Sequence, residues 1–78
     1  MKKTITMPKL SANMETGVLV SINKQVGDSV KKGDVLFEVE TEKVVSEVES
    51  DEEGILVKFF FKEGDSVKVD EVIAEIEV

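Results

Sequence analysis

Residues 17–31, GVLVSINKQVGDSVK, are echoed by residues 54–68, GILVKFFFKEGDSVK, a constant 37 positions further on. The register continues beyond the shared Gly-Asp-Ser-Val-Lys: Val35 falls on Val72, Glu38 on Glu75 and Glu40 on Glu77. Similar turn chemistry recurring by chance would not keep one register over this length. Two copies are too few for a stacked solenoid, which needs about three or more. Neither copy alone buries an apolar face, so the two must cover each other. Two halves of about four strands each, packed face to face around a pseudo-twofold axis, meet that requirement.

The strands follow from period-two alternation. Val35, Phe37 and Val39 alternate with Leu36, Glu38 and Glu40, and Val72, Ala74, Ile76 and Val78 alternate with Ile73, Glu75 and Glu77. Each series predicts a strand with one buried face. Residues 18–22 and 55–61 are β-branched or aromatic enough to be strands as well. Gly-Asp pairs at 27–28, 33–34 and 64–65 mark turns. Leu10 to Glu15 reads as a loop, and Pro8 belongs at a strand end or edge. No stretch has a helical period. The expected fold class is all-β.

Composition narrows the function. Seventy-eight residues make one small domain, spanning 1–78, near the lower size limit for a single hydrophobic core. With four Phe, no Trp and no Tyr, that core is expected to be mostly Val, Ile and Leu. The absence of Cys removes disulfides, thiol nucleophiles and thiolate metal sites. Without His there is no side chain that titrates near neutrality unperturbed. A net charge of -7 argues against nucleic acid and against an anionic membrane surface as partners. There is no Ser-His-Asp set and no phosphate-cradling Gly loop, so the expected role is non-catalytic. Asp51-Glu-Glu53 lacks the ligand spacing and turn Gly of a calcium loop and reads as a solvated acidic turn before Gly54.

The two copies are joined by the stretch VLFEVETEKVVSEVE, residues 35–49. Taking Glu42 and Lys43 as a two-residue turn pairs Thr41 with Val44, Glu40 with Val45, Val39 with Ser46, Glu38 with Glu47 and Phe37 with Val48. This register puts Phe37 and Val48 together on the buried face; a slip of one would separate them. Its cost is the like-charge pair Glu38–Glu47, tolerable if both project into water. Glu-Lys is not a favoured Asn-Gly type of hairpin turn. A type I turn, with both central residues at negative φ, accommodates it without strain. Lys43 then stands alone on a hairpin tip, opposite the end that carries both termini. It reads either as an ordinary solubilising lysine or as an amine presented for an enzyme to modify. The surrounding Glu38, Glu40, Glu42, Glu47 and Glu49 serve either solubility or steering toward basic partner surfaces.

Glu40-Thr-Glu-Lys-Val44 resembles the lipoylation motif of lipoyl domains, usually Glu-Thr-Asp-Lys-Ala. Met7-Pro-Lys-Leu-Ser-Ala-Asn-Met-Glu-Thr-Gly17 resembles the M-P-x-L-S-x-x-M-x-x-G opening of that family. Val26-Gly-Asp-Ser-Val-Lys-Lys-Gly-Asp34 is similar to its V-G-D-x-V-x-x-G-D. The resemblance runs over essentially the whole chain, in order. Glu42 and Val44 depart from the usual Asp and Ala, which bears on which ligase or partner reads the tip.

The resemblance implies a flattened β-barrel, or sandwich, of two four-stranded antiparallel sheets with pseudo-twofold symmetry. It implies lipoate in amide linkage to Lys43, there as N6-lipoyllysine, and no catalytic or metal-binding residue. It is strongest to the lipoyl domains of dihydrolipoamide acyltransferases in 2-oxo acid dehydrogenase complexes. The partners implied are a lipoate ligase or lipoyl transferase, a 2-oxo acid decarboxylase or dehydrogenase component, an acyltransferase catalytic domain and dihydrolipoamide dehydrogenase. The domain itself is expected to be monomeric, and cytoplasmic or, in a eukaryote, in the mitochondrial matrix. The prosthetic group carries the chemistry, an acyl group taken up with reduction and passed to coenzyme A, while the protein supplies placement. The parent chain would be an acyltransferase or a dihydrolipoamide dehydrogenase, or the domain a separate carrier.

Three rival readings stand beside this one, and the first, the biotinyl carrier domain, shares the fold. Biotinyl carrier domains hold their lysine between two methionines, as in Ala-Met-Lys-Met, where this chain has Glu42 and Val44. The glycine-cleavage H protein is longer, with extra helical segments. Unmodified adaptor hairpin domains of membrane-fusion transport proteins typically lack the tip lysine.

Overall fold

Alternation over short runs, broken by Gly-Asp turns, produces eight strands and, among the described residues, no helix. The computed structural model describes residues 1–42 and 44–78. In chain order the strands are β1 (Lys2–Thr6), β2 (Thr16–Ile22), β3 (Ser29–Val30), β4 (Val35–Thr41), β5 (Val44–Glu49), β6 (Gly54–Phe59), β7 (Ser66–Lys68) and β8 (Val72–Glu77). They form two four-stranded antiparallel sheets, ordered β1-β8-β6-β3 and β5-β4-β2-β7. The expected all-β sandwich of two sheets is what the chain adopts.

The way the halves combine differs from two self-contained layers. Each sheet takes two strands from the first copy and two from the second. The short strand β3 leaves its own half to pair with β6, and β7 likewise pairs with β2. Neither half can therefore form its sheet without the other, a stronger coupling than face-to-face packing alone. The strands β1, β3 and β7 carry too few alternating residues to stand out in the sequence.

Strict alternation also fails at four symmetry-related places. Registers shift between Leu19 and Ser21 on β2 and between Leu56 and Lys58 on β6. They shift again between Val35 and Phe37 on β4, and on β8 where Ala74 and Val72 oppose successive residues of β1. A bulge inserts an extra residue and bends the strand, so adjacent side chains can both face inward. Leu36 and Phe37 are both fully buried, as are Ile73 and Ala74. Pure alternation had put Leu36 and Ile73 outward and Val72 and Val78 inward; Val72 and Val78 are exposed. The core is thus Leu36, Phe37, Val39, Ile73, Ala74 and Ile76 with Leu19, Leu56, Val30, Val67, Ile5, Met7 and Met14.

The turns repeat more faithfully than the sequence does. At Asp28, Asp34 and Asp65 a side-chain oxygen accepts the backbone N–H three residues earlier, at 2.8–2.9 Å. The preceding Gly27, Gly33 and Gly64 all have positive φ. A fourth turn has the same wiring with different residues. Glu71 Oε1 accepts the Lys68 N–H at 2.8 Å, and Asp70, 37 positions after Gly33, takes φ 74° where the others have glycine. That conformation strains a residue with a Cβ, although Asp tolerates it better than most. Asp70→Gly is expected to stabilise the domain by about 0.5–1 kcal/mol. Thermal melting should show this as a rise of a few degrees; an unchanged or lower midpoint would contradict the strain argument.

Asp34 illustrates the electrostatics of these turns. The Lys31 backbone N–H holds its carboxyl below the usual carboxylate range, with help from the Lys24 ammonium 3.3 Å away and some opposition from burial. The stabilisation is complete above the unfolded carboxyl's pKa and fades as pH falls through the depressed folded value.

Candidate functional site

The joining segment forms the hairpin that its alternation predicts. Thr41 pairs with Val44, Glu40 with Val45, Val39 with Ser46, Glu38 with Glu47 and Phe37 with Val48, every pair as counted. Phe37 is fully buried and Val48 packs against the core beside it. Lys43, the modification site expected from sequence, lies outside the described residues.

Glu42 corrects one expectation. Its φ is +48°, not the negative value of a type I turn. Positive φ at the first central residue belongs to the primed hairpin turns, whose twist matches that of the flanking strands. Strand twist therefore overrides the local preference of Glu. Strand β4, bent by its bulge, is held between β5 and β2 in a four-stranded sheet, so Glu42 takes the conformation that the paired strands impose.

The end of the sandwich opposite the hairpin carries both termini. The Met1 ammonium lies 2.7 Å from Glu77 Oε2, and Val78 N–H donates to the Met1 carbonyl at 2.8 Å. That contact holds the Glu77 carboxyl below its ordinary range.

Cross-strand neighbours show how the two outer faces have diverged. On the hairpin sheet Glu38 lies between Ser21 and Glu47, and Glu40 lies between Val18 and Val45. On the other sheet the equivalent Glu75 lies between Lys58 and Thr4, and Glu77 lies between Ile55 and Lys2. Opposite charges across strands stabilise and like charges destabilise. The hairpin sheet accepts the unfavourable Glu38–Glu47 pair; Glu47 is exposed and Glu38 is half-buried. Among the described residues no group of His, Cys, Asp and Glu is arranged to hold a metal ion.

A second element approaches the hairpin that sequence reasoning treated only as a loop. Ser11, residues 13–18 and residues 40–42 together line an open groove of about 350 Å³. The loop is anchored by Met7, fully buried, and Met14, nearly so. Gly17 leaves room for these side chains: a Cβ there would come within 2.5 Å of Val39 Cγ1, 3.0 Å of Met14 Cε and 3.5 Å of Met7 Cε.

Comparison with known proteins agrees with the fold and with the family resemblance. Residues 3–76 match the family model described as biotin-requiring enzyme, the biotinyl and lipoyl attachment family. The dihydrolipoyllysine-residue acetyltransferase component of the pyruvate dehydrogenase complex from Rhizobium meliloti is 51% identical over 49 residues, 63% of this chain and 11% of that protein. The lipoyl domain of the 2-oxoglutarate dehydrogenase complex from Azotobacter vinelandii superposes with a TM-score of 0.80 at 27% identity, over 96% of this chain and 95% of that one. Urea carboxylase from Kluyveromyces lactis superposes equally well, TM-score 0.81 at 25% identity, over 99% of this chain but 6% of the carboxylase. Backbone similarity alone therefore does not separate the two. The chain spans about a tenth of the length of the curated relatives it matches.

Proposed function

The chain belongs to the biotinyl and lipoyl carrier family described as biotin-requiring enzyme, and from that membership we propose that it is a lipoyl carrier domain whose Lys43 bears a lipoyl group in amide linkage. The observation that carries the choice of lipoyl over biotinyl is the setting of the lysine. Glu42 precedes it and Val44 follows it, where a biotinyl domain would have methionines. The pairing of Thr41 with Val44 supports a tip position for it, because only residues 42 and 43 join the two strands.

The amine of a lysine is protonated near neutrality, at a pKa of about 10.4. A lipoate ligase or lipoyl transferase must bind the hairpin, take up that proton and let the freed amine attack an activated lipoyl carbonyl. The C–N bond forms as the activating group departs (AMP from an adenylate made with ATP, or the donor carrier in a transfer). Acylation then removes the charge of residue 43. When bound, the lipoyl group supplies acyl transfer coupled to dithiol–disulfide chemistry. The chain's own part is to anchor the group on a paired hairpin at one end of a rigid sandwich. The partners proposed are the decarboxylase or dehydrogenase component of a 2-oxo acid or acetoin complex, its acyltransferase catalytic domain, and dihydrolipoamide dehydrogenase.

Incubation with lipoate ligase, lipoate and ATP, and separately with biotin ligase, biotin and ATP, tests the reading by intact mass. The first should add one lipoyl group and the second should add nothing. No gain with lipoate ligase, or a gain with biotin ligase, would overturn it.

A further inference from the structure

The pseudo-twofold symmetry breaks at one connection. Nine residues, 7–15, link β1 to β2, whereas four, 50–53, link the equivalent β5 to β6. The longer link lies at the hairpin end of the sandwich, and the groove of about 350 Å³ lies between it and residues 40–42. That volume is at the lower end of the roughly 300–1,000 Å³ typical of small-molecule sites. The loop is braced for a pre-formed site: Leu10 N–H donates to Met14 Sδ at 3.1 Å, Met14 N–H to the Ser11 carbonyl at 3.2 Å, and Val69 N–H to the Glu15 carbonyl at 3.0 Å.

The geometry points to this groove as a resting subsite for the lipoyl arm, an inference that builds on the carrier function proposed above. Thr41 and Glu42 line it and directly precede residue 43. At about 3.8 Å between successive Cα atoms, the groove begins well within reach of a lysine side chain extended by an acyl chain. Its lining suits an uncharged, sulfur-bearing arm. Met14 offers a polarizable thioether to a cyclic disulfide. Ser11, Asn13 and Thr41 offer neutral hydrogen-bonding groups to the arm's amide. The carboxylates of Glu15, Glu40 and Glu42 repel free lipoate, an anion, but not the amide-linked group. The groove thus discriminates the attached arm from its unattached precursor. Because it is open and small, it holds the arm between transfers without trapping it.

The test uses the 78-residue chain labelled at methionine methyls and backbone amides, in three forms. These are unmodified, lipoylated by ligase, and carrying N6-acetyllysine at position 43, which removes the charge without adding an arm. The expected result is a shift of the Met14 methyl and of the Ser11, Asn13 and Thr41 amides in the lipoylated form beyond that in the acetylated form. Nuclear Overhauser contacts from the dithiolane protons to the Met14 methyl should accompany it. A complete lipoyl mass gain with the same groove signals in both acylated forms, and no such contacts, would overturn the subsite alone. Failure to gain the lipoyl mass would overturn the carrier function and the subsite with it.

Discussion

Lys43→Arg abolishes lipoylation while leaving the sandwich folded; that is the expected result with the largest functional effect. The chain has ten basic residues, all of them lysines, so nine other lysine amines remain in the variant, besides the N-terminal amine. A ligase that reads only an accessible amine would still modify one of them, and the intact mass would still rise. A ligase that reads an amine on this hairpin would leave the mass unchanged. Arg keeps the positive charge among the acidic residues of the tip, so altered electrostatics would not explain the loss. Its guanidinium stays protonated and does not form the amide. Amide-proton spectra should retain the β4–β5 pairing in the variant. A mass gain surviving the substitution would sink the assignment of Lys43.

Gly54→Ala is expected to have the largest effect on stability, and the comparison with Gly17→Ala shows why. The two glycines occupy equivalent places in the repeat. A methyl at Gly17 would meet side-chain atoms only: Met14 Cε, the end of a flexible chain, and Val39 Cγ1, which is stiffer but can shift with its side chain while the backbone stays in place. A methyl at Gly54 would run into the backbone carbonyl of Glu77, and into Ile76 Cγ2 at 2.9 Å. Strand β8 lies between β6 and β1 in its sheet and cannot move back without breaking a ladder. Overpacking usually costs about 1–3 kcal/mol and sometimes more; here the upper end is expected, about 3 kcal/mol. A domain of this size has roughly 4–12 kcal/mol to lose. At about 4–8 °C per kcal/mol, the melting midpoint should fall by roughly 12–25 °C. Gly17→Ala should cost about 1 kcal/mol. Equal effects from the two substitutions would refute the distinction between backbone and side-chain obstruction.

Much of the architecture was legible because the repeat and the alternation are local patterns. The hairpin register followed from counting outward from Glu42 and Lys43, since Phe37 and Val48 had to share a face. The equivalence of β1 and β5 was not legible. Ile5 and Val48 pair with the equivalent residues Ala74 and Phe37, yet they are 43 positions apart, not 37. The longer β1–β2 link shifts the offset, so the repeat disappears where it matters most for the groove. The fourth turn was hidden for another reason. Asp70 and Glu71 reproduce the backbone role of Gly33 and Asp34 with different side chains, so hydrogen bonding retains what the residue letters have lost.

Sequence by itself determined that this chain is all-β, that it is built from two related halves, how the β4–β5 hairpin is registered, and the motif around Lys43. Each follows from residues close together in the chain, where periodicity and turn chemistry act. Tertiary structure alone decided that the halves exchange β3 and β7, that Leu36 and Ile73 turn inward at bulges, and that Glu42 adopts a positive φ. It also brought Ser11 and residues 13–18 against residues 40–42. These outcomes depend on one sheet's curvature fitting the other, and on strands that find their partners only across the sandwich. A pattern of neighbours along the chain holds no record of such long-range fit.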